Sequence, residues 1–144
     1  MIKEFEKRLV VFVAKDFSRG VGLEKFLPNF AIVCWADFDA IDLAKKAGLN
    51  ILCVAEKNSE GESSGKILES KRARDYIKKL QKEMRCKKVS ILTFKGNSNI
   101  EFICKKNGWD CLNLDAKTTN RLEEKANFES LLKKYKGPTL PTVS

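Results

Sequence analysis

Five short, nearly continuous apolar runs, separated by segments whose apolar residues recur at helical spacing, predict an α/β fold. Four of the runs lack the in–out alternation of a half-exposed strand, so both faces of the sheet are expected to be covered. The expectation is a Rossmann-like, three-layer domain with a five-stranded, mainly parallel sheet and right-handed crossovers. With 144 residues and 43% hydrophobic content, the chain is long enough to build one such core.

The elements follow in order. Residues 1–8 carry acids and lead straight into Arg8–Ala14, a strand flanked by charge and not a secretory signal. Ser18–Leu27 reads as helical but has Gly20 and Gly22 in its first turns. Ala31–Ala36 is the second strand. Ala40, Leu43, Ala44 and Ala47 then form a helical stripe, started by Asp39 as N-cap and ended by Gly48. After the third strand, Asn50–Ala55, residues 56–65 (EKNSEGESSG) read as a loop over the sheet. Ala73, Tyr76, Ile77, Leu80 and Met84 make the next stripe, followed by the strand Val89–Phe94. Ile100, Ile103 and Cys104 form another, closed by Gly108, and the fifth run, Trp109–Leu114, alternates more and belongs nearer a sheet edge. Val11, Ile32 and Leu92 are expected in the core.

Ligands of an open parallel sheet bind beyond the carboxyl ends of its strands. That rule selects Lys15, Asp16, Ser18 and Arg19 after the first strand, Asp37 after the second and Glu56–Lys57 after the third. After the fourth come Lys95, Asn97 and Ser98, and after the fifth the polar stretch Asp115–Asn120. Ser98 or Asn99 is expected to cap the helix that follows. Gly20-Val21-Gly22 is a poor dinucleotide fingerprint: it begins about six residues after the strand, and Lys25 stands where a third Gly or Ala belongs. A receiver domain would end its first strand in paired acids, and only Asp16 follows Lys15.

The five cysteines are odd in number and show no C-x-x-C spacing, so reduced core thiols are expected. With no histidine, Ser–His and Cys–His dyads within the chain are excluded, and no metal site is expected. No apolar run approaches the roughly 18–20 residues that cross a bilayer, and a cytoplasmic location without membrane partners is expected. Net charge is +9, and Lys71–Lys88 holds nine basic residues against Asp75 and Glu83. A solvated helix face accounts for that run, and nucleic acid is not expected as a partner.

The last segment reads as one amphipathic helix over 120–135, with Phe128, Leu131, Leu132 and Tyr135 on one face. Gly137 is expected as its left-handed C-cap, and Pro138 and Pro141 stop it. This segment resembles the entry to the ATP-grasp domain of carboxylate–amine ligases. There a Leu-(Asp/Glu)-(Asp/Glu)-Lys sequence opens a helix ending in Leu-Leu, before a Gly-x-Pro-x-Pro-like turn. The matching residues are Leu122-Glu123-Glu124-Lys125, Leu131-Leu132 and residues 137–141.

The resemblance implies a Rossmann-like pre-ATP-grasp domain over residues 1–119. Residues 120–144 would be the entry helix and turn of an ATP-grasp domain whose remainder the chain lacks. It implies a ligase that uses ATP and Mg²⁺ to activate a carboxylate as an acyl phosphate for attack by an amine. Lys125 inherits the phosphate-contacting role by position, although Glu124 replaces the family's usual Asp. The implied partners are the ATP-grasp domain and a small carboxylate or amine substrate. The chain alone is expected to hold no cofactor and to have no catalytic residues. The alternative is a stand-alone Rossmann-like module that binds nucleic acid or a phosphorylated ligand through the Lys71–Lys88 face.

Overall fold

A computed structural model defines residues 3–35, 39–55 and 62–137, with the backbone only at 3, 39, 125 and 126. The strands are β1 (Arg8–Ala14), β2 (Phe30–Cys34), β3 (Ile51–Cys53), β4 (Lys88–Thr93) and β5 (Asp110–Cys111). All pair in parallel, in the order β3-β2-β1-β4-β5. The helices are α1 (Asp39–Lys46), α2 (Ser64–Glu69), α3 (Lys71–Glu83), α4 (Ser98–Asn107), α5 (Ala116–Glu123) and α6 (Lys125–Lys134). The fold is the expected Rossmann-like three-layer arrangement.

β1 lies at the centre because both its faces are apolar. Leu9, Val11 and Val13 enter a core shared with Ala31, Val33, Val89 and Ile91, under Ile67, Leu68, Ile77 and Ile100 of α2, α3 and α4. Val10, Phe12 and Ala14 enter the opposite core with Phe30, Ile32 and Ile51, under Ile41 of α1 and Phe17 of a 3-10 turn. Alternate side chains of one buried strand thus anchor two helical layers. Val11 and Ile32 are core, at 0% and 1% exposure. Leu92 is only half-buried. It packs against the α1-side core from β4, and the neighbouring edge strand β5 adds no residue to that core.

Other departures have local causes. The fifth run forms only a two-residue ladder, because the Asn113 side chain takes over beyond it. Asn113 Oδ1 accepts the Thr93 N–H at 2.9 Å, and its Nδ2 donates to the Thr93 carbonyl at 2.7 Å. Six residues of helix, α2, begin at the end of the expected 56–65 loop, capped by Ser63. Asp39 is itself the first residue of α1, not its N-cap. The cap of α4 is Asn97, whose Oδ1 accepts the Ile100 N–H at 3.0 Å, and not Ser98 or Asn99.

The expected single helix over 120–135 is two. Asp115 starts α5 early by accepting the Thr118 N–H at 2.8 Å, so the expected polar loop 115–120 is largely helical and α5 runs across residue 120. Extended backbone at Glu124 (φ −68°, ψ 113°) then separates α5 from α6. α6 closes with Lys136, not Gly137, in the left-handed position (φ 53°), while the Gly137 N–H reaches the Leu132 carbonyl at 2.8 Å. Gly137 serves by its lack of a side chain: a Cβ there would lie 2.8 Å from Leu132 Cδ2. Pro138 and Pro141 lie outside the described residues, as do residues 56–61. No helix among the described residues is long and apolar enough to cross a membrane.

Candidate functional site

The strand order reverses between β1 and β4, since β1 leads to β2 on one side while β4 and β5 lie on the other. At such a switch point the connections leave the sheet in opposite directions and open a crevice at the strands' carboxyl ends. A cavity of about 610 Å³ lies there, lined by Ala14, Lys15, Asp16, Arg19, Glu62, Ser63, Ser64 and Phe94.

The first wall is built by residues 15–20. Asp16 Oδ1 accepts the Ser18 N–H at 2.9 Å and starts the 3-10 turn Phe17–Gly20. Phe17 and Gly20 face the sheet and are buried, so Ser18 and Arg19 face outward. Gly20 lies so close to the sheet that a Cβ would stand 2.7 Å from Phe12 Cδ1 and 3.1 Å from Ile32 Cδ1. The two glycines of this segment are therefore accounted for without a dinucleotide: Gly20 by this contact, Gly22 by its left-handed backbone (φ 100°).

The Arg19 guanidinium stacks over the Phe94 ring at 4.9 Å from its centroid. Phe94, the expected last residue of the fourth strand, instead follows β4 and is 77% exposed. Stacking uses the flat face of the guanidinium and leaves its edge N–H donors free for a planar oxyanion. The other wall is the start of α2. Ser64 Oγ donates to the Val13 carbonyl at 3.1 Å and ties this wall to the end of β1. Glu62 is engaged by Lys66 at 3.1 Å. Neither Lys15 nor Arg19 has a carboxylate partner among the described residues. The crevice thus offers two cations without a carboxylate partner among the described residues, with the second oxygen of Asp16 as acceptor.

Of the candidates named from sequence, Lys15, Asp16 and Arg19 meet here, with Ser18 exposed on the same turn. Lys95 instead forms an ion pair with Glu123 of α5, Asn97 is consumed as a cap, and Ser98 is the exposed first residue of α4. Asp37 lies outside the described residues; Lys125 is the first residue of α6, and its side chain is outside the description. Reading the sequence missed Glu62, Ser63, Ser64 and Phe94. The available signal for the serines was two small polar residues ahead of a short helical turn, which Ile67 and Leu68 alone mark as buried.

Among the described residues of the crevice no serine is paired with a base, because Ser63 caps α2 and Ser64 is tied to β1. Among the described residues no three Asp, Glu, Cys or His side chains converge on a possible metal position. A hollow of about 140 Å³ at the other end of the sheet, near Glu24 and Asn50, has its one carboxylate engaged by the Gly22 N–H at 2.6 Å. Cys34, Cys53, Cys86 and Cys104 are buried in the core, and Cys111 is partly buried against it. Burial, then the neighbouring Cys111, pushes the Cys104 thiol up to about 12. Comparison with protein-family models, curated proteins and solved structures finds no match to this chain.

Proposed function

We propose that this chain is the substrate-side domain of an ATP-dependent carboxylate–amine ligase, and that the switch-point crevice receives a small oxyanion-bearing substrate. The observation that carries the reading is the meeting of Lys15, Asp16 and Arg19, with Arg19 braced on Phe94, at the point where the strand order reverses. Arg19 would fork a carboxylate through its edge, Lys15 would add a point charge, and Asp16 would accept from a hydroxyl or ammonium on the same molecule.

The ligase assignment rests on the resemblance of Leu122-Glu123-Glu124-Lys125 and Leu131-Leu132 to the entry of an ATP-grasp domain. Lys125 is the first residue of α6, whereas Leu122 and Glu123 end α5, so the structure divides the four-residue match between two helices and the assignment leans on sequence alone. ATP and Mg²⁺ would supply acyl-phosphate activation in the companion domain. The described residues here offer no magnesium donor set, and their own part is to bind and orient a substrate.

Calorimetry tests the reading. Small amino-acid and dicarboxylate ligands should bind weakly and lose most of their affinity in Arg19→Ala. Mg-ATP alone should give little heat, since one helix-borne lysine without a closed pocket is a screened point charge. Tight Mg-ATP binding by this chain, or carboxylate binding indifferent to Arg19→Ala, would contradict it.

A further inference from the structure

The run Lys71–Lys88 carries seven of the chain's nine net positive charges, and in sequence it reads as a solvated helix face. Three features of the structure go further. First, Lys71, Lys78 and Lys82 lie along the outer ridge of α3, opposite the buried Ala73, Ile77 and Leu80, with Asp75 as the one acid on that ridge. By helical rise the ridge is about 16 Å long. Second, these cations are unspent: the only ion pair of the run among the described residues joins Lys79 and Glu83 at 3.7 Å. Third, the fold extends the charge beyond the helix. Exposed Arg85, Lys87 and Lys88 follow its end. Lys7 adjoins them through the Lys87 N–H to Lys7 carbonyl bond at 2.8 Å. Lys105 and Lys106 close α4 just before β5, whose Asp110 pairs with Ser90 next to this end of β4.

We propose that this surface binds the phosphate backbone of double-stranded nucleic acid, weakly and without regard to sequence. Two other polyanions fit less well. None of the large exposed apolar side chains lies between residues 71 and 88, and Phe102 of α4 is a single exposed ring beside Lys105 and Lys106, so the surface has no apolar face to insert into a lipid layer. An acidic peptide would need side-chain pockets to be held specifically, and the described cavities lie elsewhere. A phosphate backbone needs only spaced cations. Single strands are disfavoured because they bind by stacking on aromatics. Tyr76, the one aromatic here, is partly buried against the core, and that burial, with Glu83 nearby, raises its hydroxyl pKa to about 12. The run ends at Lys88, the first residue of β4 and so the end of that strand opposite the crevice, and it lines none of the crevice wall, so this inference stands or falls independently of the ligase reading.

Fluorescence anisotropy with a labelled 20-base-pair duplex, of about 20 base pairs for practical reach, tests it. Neutralising about four phosphates predicts that affinity falls roughly a hundred-fold between about 50 and 200 mM salt, with a micromolar or weaker Kd throughout. The triple variant Lys78→Glu, Lys82→Glu, Arg85→Glu changes only exposed positions and should weaken binding at least about ten-fold and flatten the salt slope. A matched triple on the opposite layer, Lys25→Glu, Lys45→Glu, Lys46→Glu, makes the same net-charge change and should weaken it far less. Equal loss in the two triples would overturn the proposal, as would no detectable binding at low salt. Tighter binding to anionic phospholipid vesicles or to a poly-glutamate peptide than to the duplex would overturn it too.

Discussion

Replacing Gly20 by alanine tests how the crevice wall is held to the sheet. The new Cβ would stand 2.7 Å from Phe12 Cδ1 and 3.1 and 3.2 Å from Ile32 Cδ1 and Cγ1. Carbon atoms are most favourable at about 3.5–4.0 Å, so all three contacts are too short. Phe12 and Ile32 cannot swing away, being 5% and 1% exposed in a packed layer. Overpacking of this kind costs about 1–3 kcal/mol. Against it, alanine restricts the unfolded chain and returns about 0.4–1 kcal/mol. Overpacking wins, and Gly20→Ala should be less stable by about 1–2 kcal/mol. Urea denaturation measures this as a lowered midpoint at unchanged slope. Ile32→Val removes the Cδ1 at 3.1 Å, so the double variant should be more stable than the two single losses imply, by at least about 0.5 kcal/mol. An unchanged or raised midpoint in Gly20→Ala, or strict additivity with Ile32→Val, would refute the contact. Because the same turn carries Arg19, carboxylate binding should weaken along with stability.

Ile32→Ala should cost roughly 2–4 kcal/mol, and Leu92→Ala clearly less because Leu92 is half-buried; equal urea midpoints for the two would contradict their assigned environments. Cys104 titrates near 12 in the folded chain against an ordinary value of 9.0. Its raised pKa means its contribution to stability is complete below about pH 8.5 and drains away as pH rises toward 12. Cys104→Ala should therefore lose less stability than the parent between those limits, and denaturation midpoints across the alkaline range will show whether it does. Hydrogen bonds from the Thr118 hydroxyl and N–H hold the Asp115 carboxyl below the ordinary carboxylate value. A lowered pKa makes the cap's contribution complete above about pH 3.9 and lost as pH falls through the native value. The Thr118 amide resonance should report that transition and be insensitive to acid in Asp115→Asn.

The sheet was legible because its signal is long and redundant: a buried parallel strand such as Leu9–Ala14 is apolar at every position, whichever face each residue serves. The first wall of the crevice was legible for a similar reason, since Lys15, Asp16 and Arg19 follow directly on the end of the continuous apolar run that forms β1. What escaped depends on contacts distant in sequence. Lys95 looks free until Glu123, 28 residues on, claims it. The fifth run looks like a strand until Asn113 substitutes its side chain for the ladder, 20 residues from Thr93. Phe94 looks like the last residue of the fourth strand until the chain leaves β4 and exposes it to Arg19. α2 is too short to show a periodic stripe at all.

The measurement closest to the central claim is backbone chemical-shift mapping of the full chain titrated with small carboxylates, the amino acids and dicarboxylates named above. Binding at the switch point predicts saturable shifts at Lys15, Asp16, Arg19, Ser63 and Phe94, abolished by Arg19→Ala while α3 is left undisturbed. Shifts confined to the Lys71–Lys88 surface, or no saturable shift at the crevice up to solubility, would contradict the account.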